Sequence, residues 1–191
     1  MRKVFLFMMT SLDGYFEGPN HELDWHNVDA EFDEFTIEQL RQVGDIIFGR
    51  RTYEMMASFW PSKQAIETDP VVAEMMNTLP KIVFSNSLKE VGWTNARLAK
   101  RGIVEEVGDL KSRSGKDIAV FGSSNLSVGL AAKGLIDEFR IMVNPVVLGG
   151  GHPFLGGIAD RLKLVVLGVR QFRSGNILIT YVPGNLPGVP Q

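Results

Sequence analysis

Cysteine is absent from this chain and histidine is scarce. The first absence excludes disulfides and thiolate metal sites, and it fits a reducing compartment. The three histidines, His21, His26 and His152, are too scattered to predict a histidine-based zinc site, so no metal is expected. No apolar run approaches the length that spans a bilayer. The run Val4–Met9 follows Arg2 and Lys3 as the apolar part of a secretion leader would, but it is only six residues long. It leads straight into Thr10, Ser11 and Asp13, so it reads as a buried first strand. An excess of one charge is missing too: 20 basic and 22 acidic residues leave a formal net charge of −2. That gives no field for nucleic acid. The expectation is a cytoplasmic protein that meets a small molecule, with neither nucleic acid nor membrane as partner.

What is present is a substantial core. The chain has 191 residues, 45% of them hydrophobic, enough for one domain. Short apolar runs recur between Gly, Pro, Ser and Asp: Val4–Met9, Asp45–Phe48, Ile82–Ser85, Ile118–Phe121, Phe139–Val147, Leu164–Val169 and Ile177–Val182. They read as strands, several of them buried on both faces. Phe32, Phe35, Ile37, Leu40 and Val43 follow helical spacing, and Thr52–Phe59, Val71–Leu79 and Asn125–Lys133 are further helical segments. Gly134 suits a left-handed cap for the last. Alternating strands and helices up to about residue 135 predict a parallel sheet covered on both sides. Leu164–Gln171 and Ile177–Val182, separated by Arg173-Ser174-Gly175-Asn176, predict an antiparallel hairpin at the C-terminal edge. Residues 1–182 are expected to form a single domain. The tail 183–191, PGNLPGVPQ, is expected to be poorly ordered.

Three strand ends stand out. Ile47–Glu54, IFGRRTYE, reads as a strand, a Gly turn and two arginines at a helix start. The free amides and dipole of a helix N-terminus favour an anion there. Ile82–Ser87 (IVFSNS) and Ala119–Ser127 (AVFGSSNLS) are similar junctions. Together they predict a long polyanionic ligand along one sheet edge, and a dinucleotide is the obvious candidate. No G-x-G-x-x-G fingerprint occurs, which argues against a Rossmann site.

With TSLDGYFEG (Thr10–Gly18), FGRRTYE, AVFGSSNLS and DEFRIMVNPVVLGGGHPFL (Asp137–Leu155) in this order, the chain resembles the dihydrofolate reductase-like superfamily. It is most similar to the branch that includes the reductase domain of the bifunctional riboflavin-biosynthesis deaminase/reductase. The resemblance implies a three-layer α/β fold, with a mixed, mostly parallel sheet and an antiparallel C-terminal hairpin. It implies NADPH as cofactor. Arg50 then lies near the 2′-phosphate after Gly49, Arg51 shares that role, and Thr52 lies near the pyrophosphate. Ser85, Asn86 and Ser87, a turn with no carboxylate, are placed beside the adenosine ribose. Gly122, Ser123, Ser124, Asn125 and Leu126 are placed at the pyrophosphate, and Met9 and Phe16 beside the nicotinamide. Paired, charge-assisted guanidinium–phosphate bonds would favour NADP over NAD.

Hydride transfer to a C=N bond also needs a proton. The resemblance puts its donor on the first helix. Counting back from GRRT points to Asp33, while aligning on Trp25 and Phe35 points to Glu31. Asp29 is nearby, and acidic residues in a first turn also simply favour a helix. His152 is a further donor in principle, although a lone histidine in a turn is more often idle. No zinc deaminase pattern accompanies the reductase motifs. Nor is there a strong basic cluster for a substrate ribose phosphate. The expected function is NADPH-dependent reduction of a small heterocycle or a ribosylaminopyrimidine. A true folate reductase and a nucleotide-binding protein without hydride chemistry are the alternatives. The apolar C-terminal strands, with the resemblance, predict a homodimer.

Overall fold

Strands that are apolar on both faces need cover on both faces, and helices on either side of one sheet supply it. The computed structural model describes residues 1–122 and 124–184. Its strands are β1 (Val4–Thr10), β2 (Tyr15–Glu17), β3 (Val43–Gly49), β4 (Lys81–Phe84), β5 (Ala96–Leu98), β6 (Asp117–Phe121), β7 (Glu138–Val143), β8 (His152–Pro153), β9 (Leu164–Gln171) and β10 (Ile177–Pro183). Its helices are α1 (Ala30–Leu40), α2 (Arg50–Phe59), α3 (Lys63–Thr68), α4 (Pro70–Thr78), α5 (Ile103–Ser112) and α6 (Ser124–Ala132).

One sheet runs in the order β5-β4-β3-β6-β1-β7-β10-β9, and β2 pairs with β8 in a separate ladder. Pairing is parallel from β5 through β7 and antiparallel from β7 through β10 to β9. This is the mixed α/β architecture expected. Strand alternation sorts the core into layers. Val4, Leu6, Ile47, Ile118 and Val120 pack with Val107 and Leu110 of α5 and Leu130 of α6. Phe5, Ile46, Phe48, Ala119 and Phe121 pack on the other side with Leu40 of α1, Tyr53 of α2 and Val72 and Met76 of α4. A third cluster, with Phe35, Met142, Phe172 and Leu178, lies against the C-terminal hairpin.

The connection from β1 to β3 passes over one face by way of α1, and the connection from β6 to β7 passes over the other by way of α6. Connections that diverge to opposite faces leave a crevice at the carboxyl ends of the strands between them. Here those are the ends of β3, β6 and β1.

Several sequence readings are corrected. The apolar run Phe139–Val147 is a strand only to Val143. Asn144 is buried and turns its side chain back to the Thr10 carbonyl, and Pro145 has no amide to continue the ladder. Val43 belongs to β3 rather than to α1. β10 extends through Pro183, and the Gly184 amide donates to the Lys163 carbonyl, so the sheet reaches past residue 182. The remainder of the expected tail, 185–191, lies outside the described residues. α3, α5, β2, β5 and β8 are elements the sequence reading did not find. Gly134 does take the left-handed conformation of a helix cap, with φ +63°.

Candidate functional site

The ends of β1, β3 and β6 open into one cavity of about 1000 Å³. β1 contributes Met8 and Met9, β3 contributes Gly49, and β6 contributes Phe121, followed by Gly122. α2 starts at Arg50 and α6 at Ser124, so two helix N-termini face the same wall. Their dipoles make that wall favourable for anions. The two junctions nearly touch. Gly122 has φ +64°, and a Cβ there would lie 3.1 Å from Thr52 Cγ2 and 3.2 Å from Oγ1. Glycine answers both the backbone conformation and the close approach.

The two arginines have different settings. Arg50 makes a 3.0 Å ion pair with Glu54 one turn along α2, with both side chains 44% exposed. Such a pair is weak enough for a ligand anion to compete with it. The Arg51 guanidinium donates toward His21 Nε2 at 3.3 Å. Ser124, Asn125 and Leu126 line the cavity from α6, and Phe16 lines it from β2. Ser123 lies outside the described residues. Ser85, Asn86 and Ser87 are not part of the cavity wall. Ser85 Oγ instead accepts from the Ser87 and Leu88 amides and closes a local turn after β4.

The rest of the lining includes residues of α1, α4 and the later turns of α2. Asp33 lines the cavity beside Phe32 and Thr36. Burial raises the Asp33 carboxyl above its ordinary range, and the charges of Asp69 and Asp29 add to this. Asp69 also lines the cavity and caps α4 by accepting from the Val72 amide. Glu31 points elsewhere: it accepts from the Arg173 amide at 2.9 Å and lies 3.6 Å from Arg170. Residues two apart on a helix differ by about 200° around its axis, so both cannot face one cavity. Asp29 caps α1 by accepting from the Phe32 amide. Phe35 packs in the hairpin core, and the Trp25 indole donates to the Glu22 carbonyl.

Sequence reasoning missed other parts of the wall, notably His26, Trp60 and Asp69. Trp25 packs edge-on against His26 with centroids 4.4 Å apart. His26 Nε2 is buried and has no hydrogen-bond partner among the described residues. The three histidines are scattered in sequence, but two of them meet in space. Folding brings His21 and His152 into a parallel stack, 4.7 Å between centroids, with both rings at Glu17. No local signal could reveal a contact between β2 and β8, whose residues are far apart in the chain.

The model of the RibD C-terminal domain family matches residues 2–178. The uncharacterized protein YyaP of Bacillus subtilis (strain 168) is 33% identical over 180 residues, which cover 94% of each chain. A candidate riboflavin biosynthesis protein from Shewanella sp. PV-4 is 27% identical, with a TM-score of 0.72 over 95% of this chain and 98% of that one. The dihydrofolate reductase of Enterococcus faecalis, complexed with NADP(H), shares the fold. Its TM-score is 0.63 at 14% identity, over 96% of this chain and 97% of that one.

Burial lowers the pKa of His26 from its ordinary value of 6.5 to about 4. The folded state therefore favours the neutral ring. Its contribution to stability is complete above pH 6.5 and is lost as the pH falls through 4. The expected loss is about 1.4 kcal/mol per pH unit inside that window. Urea unfolding at stepped pH should show His26→Gln less acid-sensitive than the parent between those limits. Parallel stability profiles for the two proteins would refute the assignment.

Proposed function

The chain belongs to the RibD C-terminal domain family, and from that premise we propose that it is an NADPH-dependent reductase acting on a small heterocycle or a ribosylaminopyrimidine-type substrate. The observation that carries the reading is the single cavity that joins two helix N-termini and two arginines to a carboxyl group of raised pKa. The residues present fit the cofactor. Gly122 leaves the anion wall free of a Cβ, Arg50 and Arg51 offer donors for phosphate, and Met9 and Phe16 offer apolar surface for a ring. NADPH, when bound, supplies the hydride. The protein's part is to hold the phosphates at α2 and α6, to shield the reacting face, and to offer in Asp33 a carboxyl group whose pKa burial raises. A carboxyl group raised by burial retains its proton closer to neutral pH, where a general acid is needed. Cytoplasmic location, in the reducing compartment, goes with this reading.

A second copy is proposed as partner. β9 is one of the two edge strands of the sheet, and Val166, Leu167 and Val169 on it are 54%, 63% and 64% exposed. An apolar edge with unpaired backbone groups is a template for strand pairing, and a second β9 is the self-complementary occupant. Light scattering at micromolar concentration should give a dimer, and Leu167→Lys should shift it toward monomer. A monomeric mass for the unaltered protein would refute the proposal.

NADPH should bind at least tenfold more tightly than NADH, because a charge-assisted phosphate contact contributes about 1.5–3 kcal/mol. Arg50→Ala should remove most of that preference and leave the fold intact. Fluorescence titration of the two cofactors decides, and equal dissociation constants would sink the claim.

Asp33→Asn should slow NADPH-dependent turnover by about 10²–10⁴-fold with little change in cofactor affinity. The sign of its effect on stability is opposite. A carboxyl whose pKa is raised in the folded state stabilises in acid, and that stability is lost as the pH rises through the raised value. At neutral pH the Asn variant should therefore melt higher than the parent. Loss of nicotinamide absorbance in the presence of candidate pyrimidines, with dihydrofolate as a control, separates this reading from folate reduction and from binding alone. Unchanged turnover in the variant would remove Asp33 from the chemistry.

A further inference from the structure

Glu17, His21 and His152 form a compact donor set at the rim of the cavity. His21 Nδ1 lies 2.7 Å from Glu17 Oε1, and His152 Nδ1 lies 3.2 Å from the same oxygen. One ligand atom from each residue lies within 4.8 Å of the others. The backbone is shaped for this meeting. The β2–β8 ladder pairs Glu17 with His152. Gly151, at φ +145°, lets β8 close on β2, since a Cβ there would lie 2.3 Å from the Glu17 carbonyl oxygen. His21 holds φ +68°, a conformation that costs a non-glycine residue energy.

We infer that this trio is a binding site for a divalent transition-metal ion of the zinc class, ligated by the two imidazole Nδ1 atoms and the Glu17 carboxylate. Two imidazoles and one carboxylate form a borderline-soft donor set with nitrogen in the majority. Such a set suits zinc and leaves a fourth position open. Calcium and magnesium require more oxygen ligands than the trio offers. Zinc holds nitrogen and oxygen at about 2.0–2.2 Å, which puts tetrahedral ligand atoms roughly 3.3–3.5 Å apart. To reach that spacing the two rings, now parallel within 8°, turn out of their stack so that both planes point at the ion, and the 2.7 Å His21–Glu17 contact lengthens. The two side chains are 44% and 43% exposed, which leaves room on the solvent side for the rings to turn, and on binding His152 Nδ1 exchanges its 3.2 Å contact with the Gly18 carbonyl oxygen for the metal.

Binding carries a consequence for Arg51. In the structure described, Arg51 donates to His21 Nε2, so His21 carries its proton on Nδ1 and donates it to Glu17. A metal needs the Nδ1 lone pair, so the ring proton moves to Nε2 and faces the guanidinium. Two donors cannot share that contact. Metal loading thus releases Arg51 from His21 toward the cavity, and it also clamps β2 to β8 across the mouth. The coupling to an anion in the cavity rests on the proposed role of Arg51, whereas the metal site does not.

The test is equilibrium dialysis of tag-free protein against zinc, followed by metal analysis. The expected result is one zinc per chain, with a rise in melting temperature. His21→Ala and His152→Ala should each weaken binding by at least about 100-fold, the upper end of what losing an outer partner of a metal ligand costs. Glu17→Gln keeps the size and hydrogen-bonding capacity of the side chain, and it should weaken binding likewise while the metal-free variant folds normally. Cobalt in place of zinc should give the visible absorption of a tetrahedral site. The absence of stoichiometric zinc, or stoichiometric zinc retained in all three variants, would overturn the proposal. Neither result depends on whether the protein reduces anything.

Discussion

The contact between Gly122 and Thr52 is the constraint on which the site depends. β3 and β6 are adjacent parallel strands, so the turns that leave them emerge side by side. α2 follows β3 immediately, and α6 follows β6 after two residues. Both helices can aim their first turns at one space only if the backbones close together, and any side chain at residue 122 would meet Thr52 within van der Waals distance. The left-handed φ of Gly122 turns the chain there at no steric cost. Glycine thus supplies two things, a turn and a gap. The anion wall follows from the pair, because two helix dipoles converge on a surface that contains little side-chain bulk.

Charge is divided among the elements that line the cavity. Arg50 and Arg51 line it from α2, while Asp33 and Asp69 line it from α1 and the N-terminal cap of α4. Among the described residues no lysine lines the space. His26, which does line it, is held neutral by burial. Phe32, Trp60, Met55 and Met56 give much of the remaining lining an apolar character. Asp33 and Asp69 carry negative charge in this lining. Each is a helix N-terminal residue, a setting that ordinarily favours the anion, yet burial dominates at Asp33 and its proton is retained to higher pH.

The sequence carried the fold well where an element is a long apolar run. β1, β3, β6 and β10 are apolar runs, and the Gly-Arg and Gly-Ser junctions marked the strand ends that line the cavity. β2, β5 and β8 have only two or three residues, too few to show a period. α5 does have helical spacing, with Ile103, Val107 and Leu110 inward, but its glutamates, aspartate and lysine mask the stripe. The choice between Glu31 and Asp33 was not legible because both stand in the same first turn. Only the rotation of α1 against the sheet decides which one meets the cavity. The Glu17–His21–His152 group was less legible still, since it arises from a two-residue strand and a long return of the chain.

The covering loop differs in character from the rest. Residues 11–28 form one side of the cavity and are held largely by polar contacts. Asp13 accepts from the Leu148 and Gly149 amides, and a hydrogen bond from Ser11, with these amides, holds its carboxyl below the usual range. The Asn27 amide donates to Asn144, its side chain donates to the Ser174 carbonyl, and its carbonyl accepts from Asn176. Asn144 and Asn176 are fully buried, and these bonds satisfy the Asn144 oxygen and the Asn176 amide nitrogen, while Asn176 Oδ1 has no partner among the described residues. They lock the base of the loop to the ends of β7 and the hairpin. The tip is different: Asn20, His21 and Glu22 bond mainly to each other and to Glu17. The tip is also tied across the mouth of the cavity, by the Arg51–His21 hydrogen bond and the His21–His152 stack. His21 sits at that tip and His152 faces it from β8, so the two rings meet at the rim of the cavity.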